Sequence, residues 1–176
     1  SKKRSASMRT AAYKVHVASD RRRRENEPRH ILCVIAGWKG KTMELFLGGC
    51  YQGKKEYVLK LHPECKGQVI EGENLPADWD GMIKELQEFE NPVINHLHLW
   101  VRKCLEQQTD VELLADKLLE TYPGLIFICD EIGNGIVPMD ALERDYRERT
   151  GRLQIRIAEK AERVERIVCG ISQRLK

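Results

Sequence analysis

Paired cysteines are missing from this sequence. Its six cysteines stand singly at Cys33, Cys50, Cys65, Cys104, Cys129 and Cys169, and no two have the C-x-x-C spacing of a structural zinc site. A chain of 176 residues with 41% hydrophobic content has enough core material to fold without a disulfide scaffold. Several cysteines are therefore expected as small core residues, reduced, in a cytoplasmic protein. Long apolar runs are missing too. ILCVIAGW (31–38) falls far short of the ~20 residues of a membrane span, so no membrane partner is expected. There is no internal repeat. Aromatic residues make up only 6% of the chain, and none interrupts RRRR (21–24), which weakens that run as a nucleic-acid signal.

Charge is unevenly spread. The net charge of +3 combines a basic leader with an acidic remainder: residues 1–42 hold 12 Lys or Arg against 3 Asp or Glu. The leader has few apolar residues and neither helical nor strand period, so residues 1–42 read as a basic, disordered segment. A nucleic-acid arm, an organelle transit peptide and a segment without function all fit that composition. Regular patterning starts at Met43, which favours the last of these. Nucleic acid is not expected as a partner.

From Met43 onward, short apolar runs alternate with amphipathic ones. The strands expected are MELFL (43–47), QVI (68–70), PVINH (92–96), LIFIC (125–129) and ERIVCG (165–170). Helices are expected at 54–61, 78–89, 98–107, 110–121, 138–149 and roughly 152–163. Continuous apolar strands alternating with helices predict an α/β domain over 43–176, a mostly parallel sheet with helices on both faces.

Within that frame GGCYQGKK (48–55) falls between a strand and a helix. Gly48, Gly53 and Lys54 satisfy G-x-x-x-x-G-K, and Gly49, Cys50, Tyr51 and Gln52 complete the loop. Glycines let backbone N–H groups turn in on phosphate oxygens, the helix N-terminus adds partial positive charge, and the lysine reaches the terminal phosphates. A tight glycine turn without ligand is the competing reading. In such loops a Ser or Thr hydroxyl follows the lysine and binds Mg²⁺; here Lys55 stands in its place.

A second stretch, LIFICDEIGNGIVP (125–138), runs from an apolar strand into an acidic pair, two glycines and a proline placed to start a helix. Ligands of open α/β sheets sit beyond the carboxyl ends of the strands. Asp130 and Glu131 therefore face the same crevice as the glycine loop, as candidate base or metal ligand. A capped turn would explain the glycines but not two acids ending a buried strand.

Together these motifs resemble the adenosylcobinamide kinase / adenosylcobinamide-phosphate guanylyltransferase family of cobalamin biosynthesis. The resemblance runs from Met43 to Lys176. It rests on Gly48, Gly49, Gly53 and Lys54, on Glu131, Gly133, Gly135 and Pro138, on R-x-x-R-E-x-x-G-R-L-Q (144–154), and on VCGISQRLK (168–176). It implies a RecA-like P-loop fold, trimeric assembly and ATP or GTP as cofactor. The implied reactions are phosphorylation of a cobinamide hydroxyl and then GMP attachment through a guanylylated histidine.

The sequence departs from the family's pattern at the points where chemistry is done. The strand-end acid is Asn95, the threonine after it is His98, and Lys55 holds the metal position; both usual Mg²⁺ ligand positions are thus substituted, and no metal ligands are assigned. No histidine lies between QVI (68–70) and Asn95, where the family carries its GMP. His62 is read as a surface residue ending the first helix. His96 and His98 would share a strand face, but two ligands do not make a metal site. The expectation is therefore phosphoryl transfer with guanylyl transfer lost; the alternative is a catalytically degenerate paralogue that binds a nucleotide or a partner.

Overall fold

The computed structural model describes residues 40–135 and 139–176, which belong to one compact unit. The expectations for RRRR, for ILCVIAGW and for nearly all of the leader lie outside the described residues, as does that for Pro138.

Six strands form one sheet in the order β2-β3-β4-β1-β5-β6. They are β1 (Glu44–Gly48), β2 (Val69–Glu71), β3 (Val93–Asn95), β4 (Ile126–Asp130), β5 (Arg163–Val168) and β6 (Ile171–Arg174). β1 pairs in parallel with β4 on one side and β5 on the other, and β2, β3 and β4 continue the parallel run. Among the described residues, five α-helices connect them: α1 (Lys54–Leu61), α2 (Trp79–Leu86), α3 (Leu97–Glu106), α4 (Val111–Thr121) and α5 (Ala141–Lys160). Asp78, Asp110 and Asp140 begin α2, α4 and α5 by accepting hydrogen bonds from Gly81, Leu113 and Leu142 N–H groups at 2.8, 3.0 and 3.4 Å.

Both faces of the sheet are covered. Consecutive strand residues point to opposite faces, and Leu45 and Phe46 are both fully buried. Phe46, Ile126, Ile128, Val93 and Ile167 pack with Val58 of α1 and Cys65 on one side. The α/β reading of the sequence holds, with three corrections. The last predicted strand stops at Val168. Cys169 and Gly170 (φ 51° and 76°) make a two-residue turn of the type that matches strand twist, and β6 returns antiparallel. The two helices expected at 138–149 and 152–163 are one 20-residue helix. Gly151 sits within it at a cost of roughly 1 kcal/mol; two residues before it, Arg149 pairs with Glu112 of α4 at 2.6 Å. Finally, PVINH is extended only to Asn95; His96 is left-handed (φ 51°) and begins α3, so His96 and His98 do not share a strand face.

Candidate functional site

The carboxyl ends of β1, β2, β3 and β4 open on one edge of the sheet, and the glycine loop lies there. Gly48 ends β1 where a Cβ would stand 2.3 Å from the Ile167 carbonyl oxygen of neighbouring β5, so only glycine fits. The loop is fastened from both sides. Glu131 N–H donates to Gly48 O at 3.0 Å, and Gly170 N–H donates to Gln52 O at 2.8 Å. Cys169 N–H donates to Gln52 Oε1 at 2.7 Å. The β5–β6 turn thus braces the loop tip. Tyr51 at that tip is left-handed (φ 57°) and fully exposed, and Gly53 (φ 79°) precedes the first residue of α1.

Lys54, the first residue of α1, is buried. Its Nζ donates to Gly49 O at 2.7 Å and pairs with Asp130 Oδ1 at 2.7 Å. Parallel pairing of β1 with β4 sets Gly48 opposite Asp130, and this register brings the two motifs together. Asp130 is held further by its backbone: its N–H donates to His98 Nδ1 at 3.3 Å, and Gln154 Nε2 donates to its carbonyl at 3.3 Å. His98 is buried in the first turn of α3. Burial pushes its pKa down to about 4, with the charges of His96, Lys54 and Arg102 acting the same way and Asp130 opposing them. The imidazole is neutral at pH 7. Because Nδ1 accepts, Nε2 carries the hydrogen and faces Asp130 Oδ2 at 4.0 Å. Cys129 beside it is an inert core thiol, pushed up to about 12 by burial.

Glu131 turns the other way. Its carboxylate takes the Arg166 guanidinium through Nε and Nη2, both at 2.8 Å, on the side of the sheet where β5 lies. Asp130 and Glu131, adjacent in sequence, therefore serve two different cations.

Sequence reading missed the group that faces the loop from the other direction. β2 pairs with β3 so that Glu71 stands opposite Asn95. The next residue, Gly72, lies against α3; a Cβ there would meet His96 O at 2.3 Å and Trp100 N at 3.1 Å. That close approach puts Glu71 among three donors. Lys55 Nζ donates to Oε1 at 2.9 Å; Asn95 Nδ2 and His96 Nδ1 donate to Oε2 at 2.7 and 2.9 Å. Burial raises the Glu71 pKa, but these hydrogen bonds outweigh it and hold the carboxyl below its ordinary value. Glu71 and His96 line a cavity of about 400 Å³ with Cys50–Lys55, Glu56, Glu73 and Asn95. The available signal was an acid directly after a buried strand, as with Asp130, but QVI ended one residue too early to display it.

His62 is not a surface residue. It ends α1 half-buried, with Nε2 at 2.9 Å from Glu44 Oε2 and Nδ1 at 3.3 Å from Glu64. The hydrogen bond to Glu44 is the main cause of its raised pKa. An eight-residue helix at 1.5 Å per residue sets it roughly 12 Å from the loop.

A divalent cation is the group such loops ordinarily hold, and the residues present do not fit one. Lys55 brings an ammonium where a hydroxyl ligand would be, and Asn95 presents its NH₂ as a donor to Glu71. Asp130 and Glu71 are occupied by Lys54 and Lys55. Among the described residues, no three His, Cys, Asp or Glu are grouped to share a metal.

An open, mostly parallel sheet with a glycine loop and buried lysine at the carboxyl end of its central strand defines a P-loop-type α/β domain. The family model described as cobinamide kinase / cobinamide phosphate guanyltransferase matches residues 56–175. The chain belongs to that family. The match begins just after Lys54 and Lys55 and takes in Glu71, Asn95, His96 and the 130–135 loop. No curated protein matches the chain. Among the described residues, no helix is long and apolar enough to cross a membrane.

Proposed function

We propose that the chain binds ATP or GTP on residues 48–55 and transfers the terminal phosphoryl group to a cobinamide hydroxyl. The observation that carries this reading is Lys54: buried at the start of α1, donating to the loop's own Gly49 carbonyl and to Asp130, within reach of a phosphate replacing either partner. Asp130 then acts by holding Lys54 in place while the loop is empty. Backbone N–H groups of 48–54 and the α1 N-terminus supply the remaining positive potential. Titration with ATP and GTP, comparing wild type and Lys54→Ala, tests the site. Equal affinity of both proteins for both nucleotides would overturn it. Trimeric assembly belongs to the same proposal, and its test is the solution mass.

A second reading is favoured by Lys55 and Asn95, which replace the two usual cation ligands: a catalytically degenerate family member that binds a nucleotide or partner. Tight nucleotide binding with no phosphoryl transfer to cobinamide would select it.

A further inference from the structure

We propose that His96, oriented by Glu71, is the general base that takes the proton from the acceptor hydroxyl. The proposal rests on the phosphoryl-transfer reading above and assigns a catalytic residue to it.

Four observations converge on His96. Its ring is 41% exposed and lines the cavity that the glycine loop also lines. Its Nδ1 lies 2.9 Å from Glu71 Oε2 and 3.1 Å from Asn95 Nδ2; Asn95 gives a hydrogen to Glu71 at the shorter 2.7 Å, and a carboxylate only accepts, so the Glu71 contact puts the hydrogen on His96 Nδ1. Nε2 therefore holds the lone pair and has no hydrogen-bond partner among the described residues. The backbone at His96 is left-handed (φ 51°), an uncommon conformation for a residue with a side chain and one that recurs at functional sites. The two acids that sequence places at the site, Asp130 and Glu131, are each engaged by a cation, whereas this imidazole nitrogen is open. Glu71, kept ionised by Lys55, Asn95 and His96, is the carboxylate that orients the base and stabilises the imidazolium once formed, as in other carboxylate–histidine pairs.

The step balances without further reagents. The acceptor O–H gives its proton to His96 Nε2 as the oxygen forms a bond to the γ-phosphorus. The bond from that phosphorus to the β–γ bridging oxygen breaks, and the nucleoside diphosphate leaves with the electron pair. The imidazolium returns its proton to solvent. The charged and titratable groups facing His96 are Glu71 and Glu73 from the end of β2, Lys55 from α1 and His98 from α3, whose ring lies edge-on at 5.6 Å.

The test uses the full chain with a fluorescent GTP analogue for binding, and γ-labelled GTP with cobinamide for single-turnover transfer. His96→Asn and His96→Gly both tolerate the left-handed backbone. They should bind the analogue within about threefold of wild type while transferring about 10²–10⁴-fold more slowly. The wild-type rate should depend on pH, the variants should lose that dependence, and added imidazole should restore part of the His96→Gly rate. Glu71→Gln should slow transfer with nucleotide affinity retained. Wild-type transfer rates in either His96 variant, or no rescue by imidazole, would overturn the proposal. So would acid-labile label on His96 from α-labelled GTP, which would make the residue a nucleophile. A wild-type protein that binds no nucleotide would overturn the functional reading itself.

Discussion

His96 and His98 hold opposite tautomers with their rings 5.6 Å apart. His96 donates from Nδ1 to Glu71, and His98 accepts at Nδ1 from the Asp130 backbone. One ring therefore turns a lone pair to the cavity, while the other is a buried structural group supporting the strand end that holds Lys54.

The buried state of His98 predicts an acid-side loss of stability. Its folded pKa, about 4, lies below the ordinary value of 6.5, so the unfolded chain binds the extra proton first. Stability is then full above about pH 6.5 and falls progressively towards pH 4, by on the order of 3 kcal/mol at most. Urea unfolding at pH 7 and pH 5 should show this decline in wild type, and His98→Gln, which can still accept from Asp130 N–H, should reduce it. An equal decline in both proteins would show that other groups are responsible.

His62 predicts the opposite sign. Its pKa is raised, chiefly by Glu44, so its contribution is complete below about pH 6.5 and is lost as pH rises through the folded value. His62→Gln should lower stability below about pH 6.5 and flatten the decline seen in wild type above it. Set a helix length away from the loop, it should carry no GMP label either. Incubation with α-labelled GTP, denaturation and peptide mapping would show otherwise if the label fell on His62.

Lys54 has two predicted roles, and they separate. Removing its ammonium strands the buried Asp130 carboxylate, so Lys54→Met should destabilise the fold by about 3–5 kcal/mol. Adding Asp130→Asn should recover a large part of that loss without restoring nucleotide affinity. A double variant as unstable as the single one in thermal melts would show that the pair is not the cause.

Gly72 supports the arrangement without touching the cavity's contents. Gly72→Ala sets a Cβ against the His96 carbonyl, where 2.3 Å is available, and overpacking of this kind costs about 1–3 kcal/mol. The lowered melting temperature should come with weaker Glu71–His96 coupling, read as a changed His96 imidazole NMR shift. A Tm within one degree of wild type would place the strain elsewhere.

Much of this was legible in the sequence. Apolar runs alternating with amphipathic ones gave parallel strands and covering helices, because burial on two faces demands continuous apolar strands. GGCYQGKK could be placed between a strand and a helix because glycine and helix-start chemistry are local. LIFICDE could be set beside it because ligands of such sheets gather at the strand ends. What was illegible depended on chain segments far apart. The helices expected at 138–149 and 152–163 are one continuous helix with Gly151 inside it. The return of β6 hung on Cys169 adopting a left-handed turn that its residue type does not advertise. Lys55, Glu71 and His96 come from three elements, and no spacing rule connects them. They meet because β2 pairs with β3 in a register that sets Glu71 opposite Asn95, and because Gly72 lets the chain pass close over the start of α3. The sequence alone determined the fold class and the placement of GGCYQGKK between a strand and a helix, since both follow from local pattern. Only the tertiary structure decided which carboxylate faces which cation and which histidine turns its lone pair to the cavity, because strand register and close backbone contact are set between segments and not within them.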